Sequence, residues 1–293
     1  MRASGGHHGS RLLLCTILLA ALISALAAPD AGFFFIQLSD PQFGMYEGDK
    51  GYEQETANYE FAVATANRLK PAFVIVTGDL VNKAGDPDQV TEYLRISKKL
   101  LPSIPIYHLP GNHDVGNEPT PESLAAYRRN FGRDYYSFRS GPLYAIVLNS
   151  ALIKAPQTAP RDAAQQESWL RAELEKASNS GERLIVVFQH HPYFVSNPEE
   201  KDGYENIPVG RRRVYLDLLR QNGVKWVVAG HYHQSAEASD NDLRMIISGP
   251  VGNPIGRGKS GLRVIAVTGT SLKHKFFDFG DLPPTLADAL KQM

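Results

Sequence analysis

The chain has 293 residues, of which 43% are hydrophobic, and its 31 basic and 31 acidic side chains balance. This length is compatible with one large α/β domain, so it does not require two domains. The balanced charge argues against nucleic acid or an anionic membrane as the main partner.

The first 27 residues have the pattern of a secretory signal peptide. Arg2 and Arg11 flank a short polar region, Leu12–Ile23 is an apolar run, and Ala25-Leu26-Ala27 is a small-x-small cleavage site. The apolar run is shorter than the roughly 20 residues that a spanning helix needs. We therefore expect cleavage after Ala27 and a secreted or periplasmic protein without a stable membrane anchor. The alternative is an uncleaved N-terminal anchor.

Cleavage at this position would also remove Cys15, the only cysteine of the chain. The remaining domain, residues 28–293, would then contain neither a disulfide nor a cysteine ligand or nucleophile. Its chemistry must come from histidine, carboxylate, amide and hydroxyl side chains.

The first half of this domain alternates apolar runs of strand length with helical patterns. A helix is predicted over residues 52–70, and a second over residues 86–100 begins at Asp86 with Pro87 in its first turn. Strands are predicted at Phe33–Leu38, Ala72–Thr77, Pro105–Leu109 and Tyr144–Leu148.

The second half changes from alternating elements to consecutive strands. Helices are predicted over residues 165–177 and 209–223, and the latter ends at Gly223. Arg211–Arg213 are predicted on its solvated face, with the alternative that one of them reaches the rim. Residues 154–163 and 195–206 are polar loops, and residues 283–293 form a short terminal helix. Strands are predicted at Leu184–Phe188, at Lys225–Ala229 and at residues 244–250, 262–269 and 271–279. This order predicts one α/β domain with two sheets packed face to face and helices outside.

Five of the apolar runs end at side chains that can bind a metal ion. They are Asp40; Asp79; Asn112, His113 and Asp114; His190 and His191; and His231 and His233. Ligands of open α/β sheets bind at the carboxyl ends of strands, so we expect these side chains at one rim. Each motif alone could be a turn, but the joint pattern indicates a metal site. The two histidines of "GHYH" are predicted on one face of an extended segment.

In this order the motifs resemble those of the calcineurin-like metallophosphoesterase superfamily. The resemblance covers the chain from Phe33 to about Phe279. Within the superfamily, "DPQFG", "GDLVN", "GNHD", "LNS", "GHYH" and "GLRVIAV" are similar to the serine/threonine-phosphatase-like branch named for its calcineurin-like phosphoesterase domain. The resemblance implies a four-layer α/β/β/α sandwich of two mixed sheets flanked by helices.

The resemblance also implies two divalent metal ions, with Mn, Fe, Zn or Mg as candidates. Two such ions ~3.5–4 Å apart bind a phosphoryl group and acidify a water into a hydroxide nucleophile. Asp79 would bridge the ions, and His113, oriented by Asp114, would bind no metal but donate a proton to the leaving alkoxide. The first site would be completed by Asp40, Gln42 and His233, and the second by Asn112, His190 and His231.

Two positions depart from the patterns of related families. Gln42 stands where the superfamily usually has histidine. An amide oxygen is a weaker donor than imidazole and suits harder ions, so weak or selective occupancy of the first site is expected. The alternative is that Gln42 binds a metal-bound water. Asn82 stands where purple acid phosphatases have tyrosine, so no iron–tyrosinate chromophore is expected.

The pattern predicts an exported phosphoesterase, foremost a phosphomonoesterase acting on a phosphorylated small molecule or phosphoprotein. A phosphodiesterase for cyclic nucleotides or glycerophosphodiesters is the alternative enzyme, and a non-catalytic binding protein with a decayed metal site is the alternative of another class. Substrate contacts are predicted at His191, Asn253 and Arg257, although the loop that holds the last two could equally be a solvated hairpin. The oligomeric state stays open.

Overall fold

The structure, a computed structural model, describes Met1 and residues 32–293, and the statements below concern that part of the chain. The predicted signal peptide and its cleavage site lie outside the described residues, apart from Met1. Among the described residues, no helix has both the length and the hydropathy needed to cross a bilayer.

The strands follow the apolar runs of the sequence. They are β1 (Phe33–Leu38), β2 (Val74–Thr77), β3 (Ile106–Leu109), β4 (Tyr136–Ser140), β5 (Leu143–Val147), β6 (Leu184–Phe188), β7 (Trp226–Ala229), β8 (Ala236–Asp240), β9 (Leu243–Ile247), β10 (Gly261–Thr268) and β11 (Ser271–Asp278). The helices are α1 (Glu53–Leu69), α2 (Pro87–Ser97), α3 (Asn112–Val115), α4 (Pro121–Phe131), α5 (Ser150–Lys154), α6 (Pro160–Asn179), α7 (Val209–Gln221) and α8 (Leu286–Lys291).

Two mixed sheets carry the fold. The first has the order β11-β10-β1-β2-β3, in which β1, β2 and β3 run parallel. The second has the order β4-β5-β6-β7-β9-β8, in which β5, β6, β7 and β9 run parallel. The parallel strands of each sheet therefore bring their carboxyl ends to a common edge.

The alternation of side chains in the strands produces four layers. Phe35 of β1 packs between the two sheets with Val186 and Val228 of the second sheet. Its neighbour Ile36 points to the opposite face and joins the cluster that contains Tyr59 of α1. Because successive strand residues face opposite sides, each sheet buries one face on the other sheet and one on helices. The predicted α/β/β/α sandwich is confirmed.

Most predicted elements are confirmed, and β1 has the predicted bounds. Asp86 caps α2 by accepting the backbone N–H groups of Asp88 and Gln89. The predicted loop at 154–163 is shorter, because α5 ends at Lys154 and α6 begins at Pro160.

The expected solvated face of α7 is wrong for one of its three arginines. Arg212 is fully buried, and its guanidinium donates hydrogen bonds to backbone carbonyls. The acceptors are the carbonyls of Pro198, Glu200 and Ile207. This arginine therefore fixes the loop that precedes α7.

Candidate metal centre

The predicted metal-binding side chains converge at one rim between the two sheets. Asp40 and Asp79 follow β1 and β2, and Asn112 begins α3 directly after β3. The histidines come from the second sheet, after β6 and β7. All seven are at most 5% exposed, namely Asp40, Gln42, Asp79, Asn112, His190, His231 and His233. Side chains up to 193 positions apart in the sequence are thus assembled into one buried cluster.

One half of the cluster is built around Asp40. Ligand atoms of Asp40, Asp79 and His233 all lie within 4.8 Å of one another. Nε2 of His233 lies 3.6 Å from Oδ1 of Asp40. Among the described residues, no lysine or arginine forms an ion pair with either carboxylate. A bound cation is therefore the natural compensation for this buried negative charge.

The other half is built around Nε2 of His190. That atom lies 3.1 Å from Oδ1 of Asn112, 3.1 Å from Nδ1 of His231 and 3.2 Å from Oδ2 of Asp79. Donor atoms about 3 Å apart can share one ion at bond lengths of about 2.0–2.2 Å. Asp79 borders both halves, as a bridging carboxylate must.

Backbone carbonyls fix which nitrogen of each histidine faces the cluster. Nδ1 of His190 lies 2.9 Å from the carbonyl oxygen of Thr77, and Nδ1 of His233 lies 2.6 Å from that of Asn253. In His231 the roles are exchanged, since Nε2 lies 2.9 Å from the carbonyl oxygen of Tyr204. A nitrogen that donates its proton to a carbonyl leaves the other nitrogen as a lone-pair donor. The tautomers are therefore set for metal binding.

The loops that present these side chains adopt a strained backbone. Asp40, Gln42, Asp79, His231 and His233 all have positive φ angles, between 41° and 69°. Such conformations cost of order 1–3 kcal/mol each for residues other than glycine and cluster at functional sites. The expectation that "GHYH" is extended is wrong, because its two histidines lie in a left-handed turn. The turn lets them serve different halves of the cluster.

Two glycines allow the strand ends to approach closely. A Cβ atom on Gly111 would lie 2.0 Å from Oδ1 of Asp79, and one on Gly78 would lie 2.4 Å from Nδ1 of His190. Gly78 also has a φ of +85°. Neither position accepts a side chain without displacing a candidate metal ligand.

The electrostatics of the cluster favour a positive charge between Asp79 and His190. Burial raises the pKa of Asp79, but the opposing effects of His190 and other histidines hold it below its usual value. Burial lowers the pKa of His190, but the charge of Asp79 outweighs this and raises it to about 9. Burial, followed by the charge of His190, lowers the pKa of His231 to about 3. A divalent cation supplies the same positive charge in concentrated form.

The structure corrects the role predicted for Asp114. Its carboxylate accepts backbone N–H groups from Leu80, Val81 and Gly111, and so joins the loops after β2 and β3. The ring of His113 is oriented instead by the carbonyl oxygen of Asn82, 2.8 Å from Nδ1. Asp114 is therefore a positioning residue for the loops, and Nε2 of His113 is left for other contacts.

Gln42 has the features of a metal ligand. Its amide nitrogen donates to Oδ1 of Asn82 at 3.1 Å, whereas its buried Oε1 has no hydrogen-bond partner. An unpaired buried carbonyl oxygen is costly unless something binds it. The residues present therefore fit a metal ion at this position, although the ligand role of Gln42 stays a prediction.

Gln42→His is expected to tighten the first metal site and to shift its preference toward Zn²⁺ or Fe²⁺, because imidazole is a better donor for these ions. Titration of wild type and variant with each metal in one buffer measures the two dissociation constants. Identical first-site constants would mean that residue 42 does not contact the metal.

The three predicted substrate contacts lie in different surroundings. His191 is 1% exposed, with Nδ1 at 2.9 Å from Oγ of Ser150 and a buried, unpartnered Nε2 beside His190 and His231. Asn253 uses its carbonyl to hold His233. Arg257 is exposed and lines a cavity of about 270 Å³ with Gln234 and Lys259. Their contacts with substrate stay predictions.

Tyr204 is a site residue that the sequence analysis did not find. Its carbonyl holds His231, and its hydroxyl accepts the amide N–H of Asn112 at 3.0 Å. The residue is 54% exposed, so it lies on the solvent side of the buried cluster. A polar loop carries no periodic signal, and only the aromatic residue within the stretch 195–206 could have drawn attention to it.

Lys154 anchors the segment that carries Tyr204. Its ammonium group donates to the carbonyls of Gly203, Tyr204 and Asn206. Three carbonyls on one ammonium, together with the contacts of the buried Arg212, give this loop a defined backbone. Tyr204 is thus held in place rather than left at a loose loop tip.

Comparison with known proteins shows which family the sequence matches. The sequence model described as calcineurin-like phosphoesterase matches residues 35–235. The chain is 36% identical over 265 residues to the serine/threonine-protein phosphatase CPPED1 of Bos taurus, and the similarity covers 85% of each chain.

Solved structures show the same fold. GAP50, the anchor in the inner membrane complex of Plasmodium, has a TM-score of 0.64 at 14% identity, covering 84% of both chains. A dimetal phosphatase from Danio rerio has a TM-score of 0.60 at 17% identity, covering 83% of this chain and 95% of that one.

Proposed function

The chain belongs to the calcineurin-like phosphoesterase family and is a metal-dependent phosphoester hydrolase, and from this premise we propose that it is a dimetal phosphatase with a preference for phosphomonoesters. The observation that carries the preference is the similarity to a serine/threonine-protein phosphatase over 85% of both chains. Peptides with phosphoserine or phosphothreonine are therefore the first substrate class to examine.

Seven side chains would hold the two divalent ions. Such ions lower the pKa of water and offset the negative charge of a phosphoryl group. Asp79 is assigned to both ions. The other six are divided between the first ion (Asp40, Gln42, His233) and the second ion (Asn112, His190, His231).

His113 is assigned the proton transfer to the leaving group. Its backbone N–H donates to Oδ1 of Asp79 at 2.8 Å, which fixes the residue against the bridging carboxylate. Its Nδ1 donates to the carbonyl of Asn82, which directs Nε2 toward the departing oxygen, and the imidazolium form of the ring carries on Nε2 the proton that moves to that oxygen. The ring is half-buried and reachable from the rim.

Tyr204 is assigned a contact with the phosphoryl group. Because the amide of Asn112 donates to its hydroxyl oxygen, the hydroxyl proton points elsewhere. That proton is then available to a phosphoryl oxygen bound at the cluster.

Tyr204→Phe is expected to raise KM for phosphomonoesters roughly 10-fold, since a hydrogen bond to a charged group contributes about 1.5–3 kcal/mol. Inhibition by inorganic phosphate should weaken by a similar factor while both metals stay bound. The matched control is Tyr135→Phe, which removes a hydroxyl from a tyrosine whose ring packs against Trp169, with the ring centroids 5.0 Å apart. If KM and the phosphate inhibition constant are unchanged in Tyr204→Phe, the hydroxyl of Tyr204 does not contact the phosphoryl group.

A substrate panel with added Mn²⁺ tests the proposed function. It comprises p-nitrophenyl phosphate, a phosphoserine peptide, bis(p-nitrophenyl) phosphate, a cyclic nucleotide and a glycerophosphodiester. We expect the highest kcat/KM on the monoesters. Higher values on the diesters would assign the chain to the phosphodiesterase alternative, and no turnover of any ester in a metal-loaded protein would favour a binding protein.

We further propose that residues 1–27 direct export and are removed. The supporting observation is the sequence of a polar arginine-containing region, an apolar run and a small-x-small tripeptide. Mass spectrometry of the protein recovered from an expressing cell should find a new N-terminus at Ala28. An intact chain that starts at residue 1 would contradict removal.

A further inference from the structure

A chain of hydrogen bonds runs outward from Gln42 to the surface. Nε2 of Gln42 donates to Oδ1 of Asn82 at 3.1 Å, and Nδ2 of Asn82 donates to Oδ1 of Asp49 at 2.8 Å. The same oxygen of Asp49 accepts Nε2 of Gln89 at 2.8 Å. This series of hydrogen bonds thus begins at Gln42, a predicted metal ligand, and ends at the exposed carboxylate of Asp49.

The backbone around this chain is well defined. The loop after β1 lies against the loop after β2, with the N–H of Gln42 2.8 Å from the carbonyl of Asp79 and the N–H of Asn82 3.0 Å from that of Phe43. A turn brings Asp49 next to Asn82, and in this turn the N–H of Asp49 donates to the carbonyl of Gly44 at 2.8 Å. A Cβ on Gly44 would lie 2.9 Å from Oδ1 of Asp49, so the turn needs glycine there.

The donor-to-acceptor direction of these hydrogen bonds is set by the last residue in the series, Asp49. An ionised carboxylate only accepts hydrogen bonds, whereas an amide presents an acceptor at one end and a donor at the other. The hydrogen bond from Asn82 lowers the pKa of Asp49, so Asp49 remains an acceptor. Asn82 must then turn its NH₂ toward Asp49 and its oxygen toward Gln42. Gln42 in turn must present its NH₂ to Asn82 and its oxygen to the cluster.

We propose that Asp49 is a positioning residue that determines which end of the Gln42 amide faces the first metal site. This inference rests on the proposed function, because it assigns Oε1 of Gln42 to that metal. Without a fixed polarity, the amide could present NH₂ to the metal, and only the oxygen can bind a cation. Gln89 supports the arrangement, since its Oε1 accepts the backbone N–H groups of Asn82 and Lys83.

The same arrangement couples Asp49 to the proton donor. Asn82 uses its side chain for Gln42 and its carbonyl for Nδ1 of His113. Asn82, in the loop after β2, therefore orients both a candidate metal ligand and the candidate general acid. Asp49 fixes the side chain of that residue from outside the cluster.

Asp49→Asn tests the proposal, because asparagine has nearly the same shape but can donate as well as accept. The dissociation constant of Mn²⁺ at each site is measured by a titration that is monitored by electron paramagnetic resonance. We expect roughly 10-fold weaker binding at the first site, the usual effect of removing a partner that orients a metal ligand. The second site should keep its affinity. The matched control is Glu47→Gln, which neutralises an exposed carboxylate of the same turn and should change neither constant.

A double-mutant cycle separates positioning from a general effect of charge. In a Gln42→Ala background, Asp49→Asn should cause no further loss of first-site affinity, since there is no amide left to orient. An equal loss in both backgrounds, or no loss in the wild-type background, would overturn the proposal. If the wild-type protein itself bound no Mn²⁺, the proposed function would fail instead, so the two failures are distinguishable.

Discussion

Asp79→Asn is expected to reduce phosphatase turnover by roughly 10³-fold or more, which corresponds to about 4 kcal/mol of transition-state stabilisation. Asp79 borders both halves of the cluster, with Oδ2 3.2 Å from Nε2 of His190 and its carboxylate within 4.8 Å of the ligand atoms of Asp40 and His233. Replacing it by an amide removes the one negative charge that both ions would share. Elemental analysis should show lower occupancy of both sites.

The matched control for this variant is Asp88→Asn, which neutralises an exposed carboxylate in the first turn of α2. It should retain both metals and wild-type turnover. Circular dichroism of Asp79→Asn establishes that the protein is still folded. Near-wild-type turnover of folded Asp79→Asn would contradict the assignment of two ions to this cluster.

His113→Ala is expected to lower turnover by roughly 10²-fold or more while the metals stay bound, as the loss of a general acid should. The loss should be smaller for p-nitrophenyl phosphate than for alkyl phosphates, because nitrophenolate leaves without a proton. The measurement is kcat on both esters together with the metal content of the same preparation. Equal losses on good and poor leaving groups would count against proton transfer by His113.

The sequence predicted that the candidate metal-binding side chains converge, because they stand at or just after strand ends. A buried strand such as β1 has a clear apolar pattern, and the first polar residues after it must lie at the rim. The order of these motifs, compared with a known family, was enough to place Asp40, Asp79 and His190 in one site. The structure brings them together as expected.

The contacts between loops could not be predicted in the same way. The resemblance implied that Asp114 orients the ring of His113, but its partners are backbone N–H groups of Gly111, close by, and of a loop more than 30 positions away. Such hydrogen bonds leave no periodic pattern in the sequence. The role of Tyr204 was missed for the same reason.

The sequence patterns also did not predict the two edge strands β4 and β8. β4 and β8 are half-exposed segments with the sequences "YSFRS" and "AEASD", and neither forms an apolar run. Their pairing with β5 and β9 supplies the backbone partners that make them strands. Tertiary pairing of this kind overrides weak local preference.

Anomalous diffraction from crystals soaked in Mn²⁺ is the most direct test of the central claim, which is that this cluster binds two metal ions. We predict two anomalous peaks about 3.5–4 Å apart. One peak should be in contact with Asp40, Gln42 and His233, the other with Asn112, His190 and His231, and both with Asp79. A single peak, or peaks that do not share Asp79, would contradict the account.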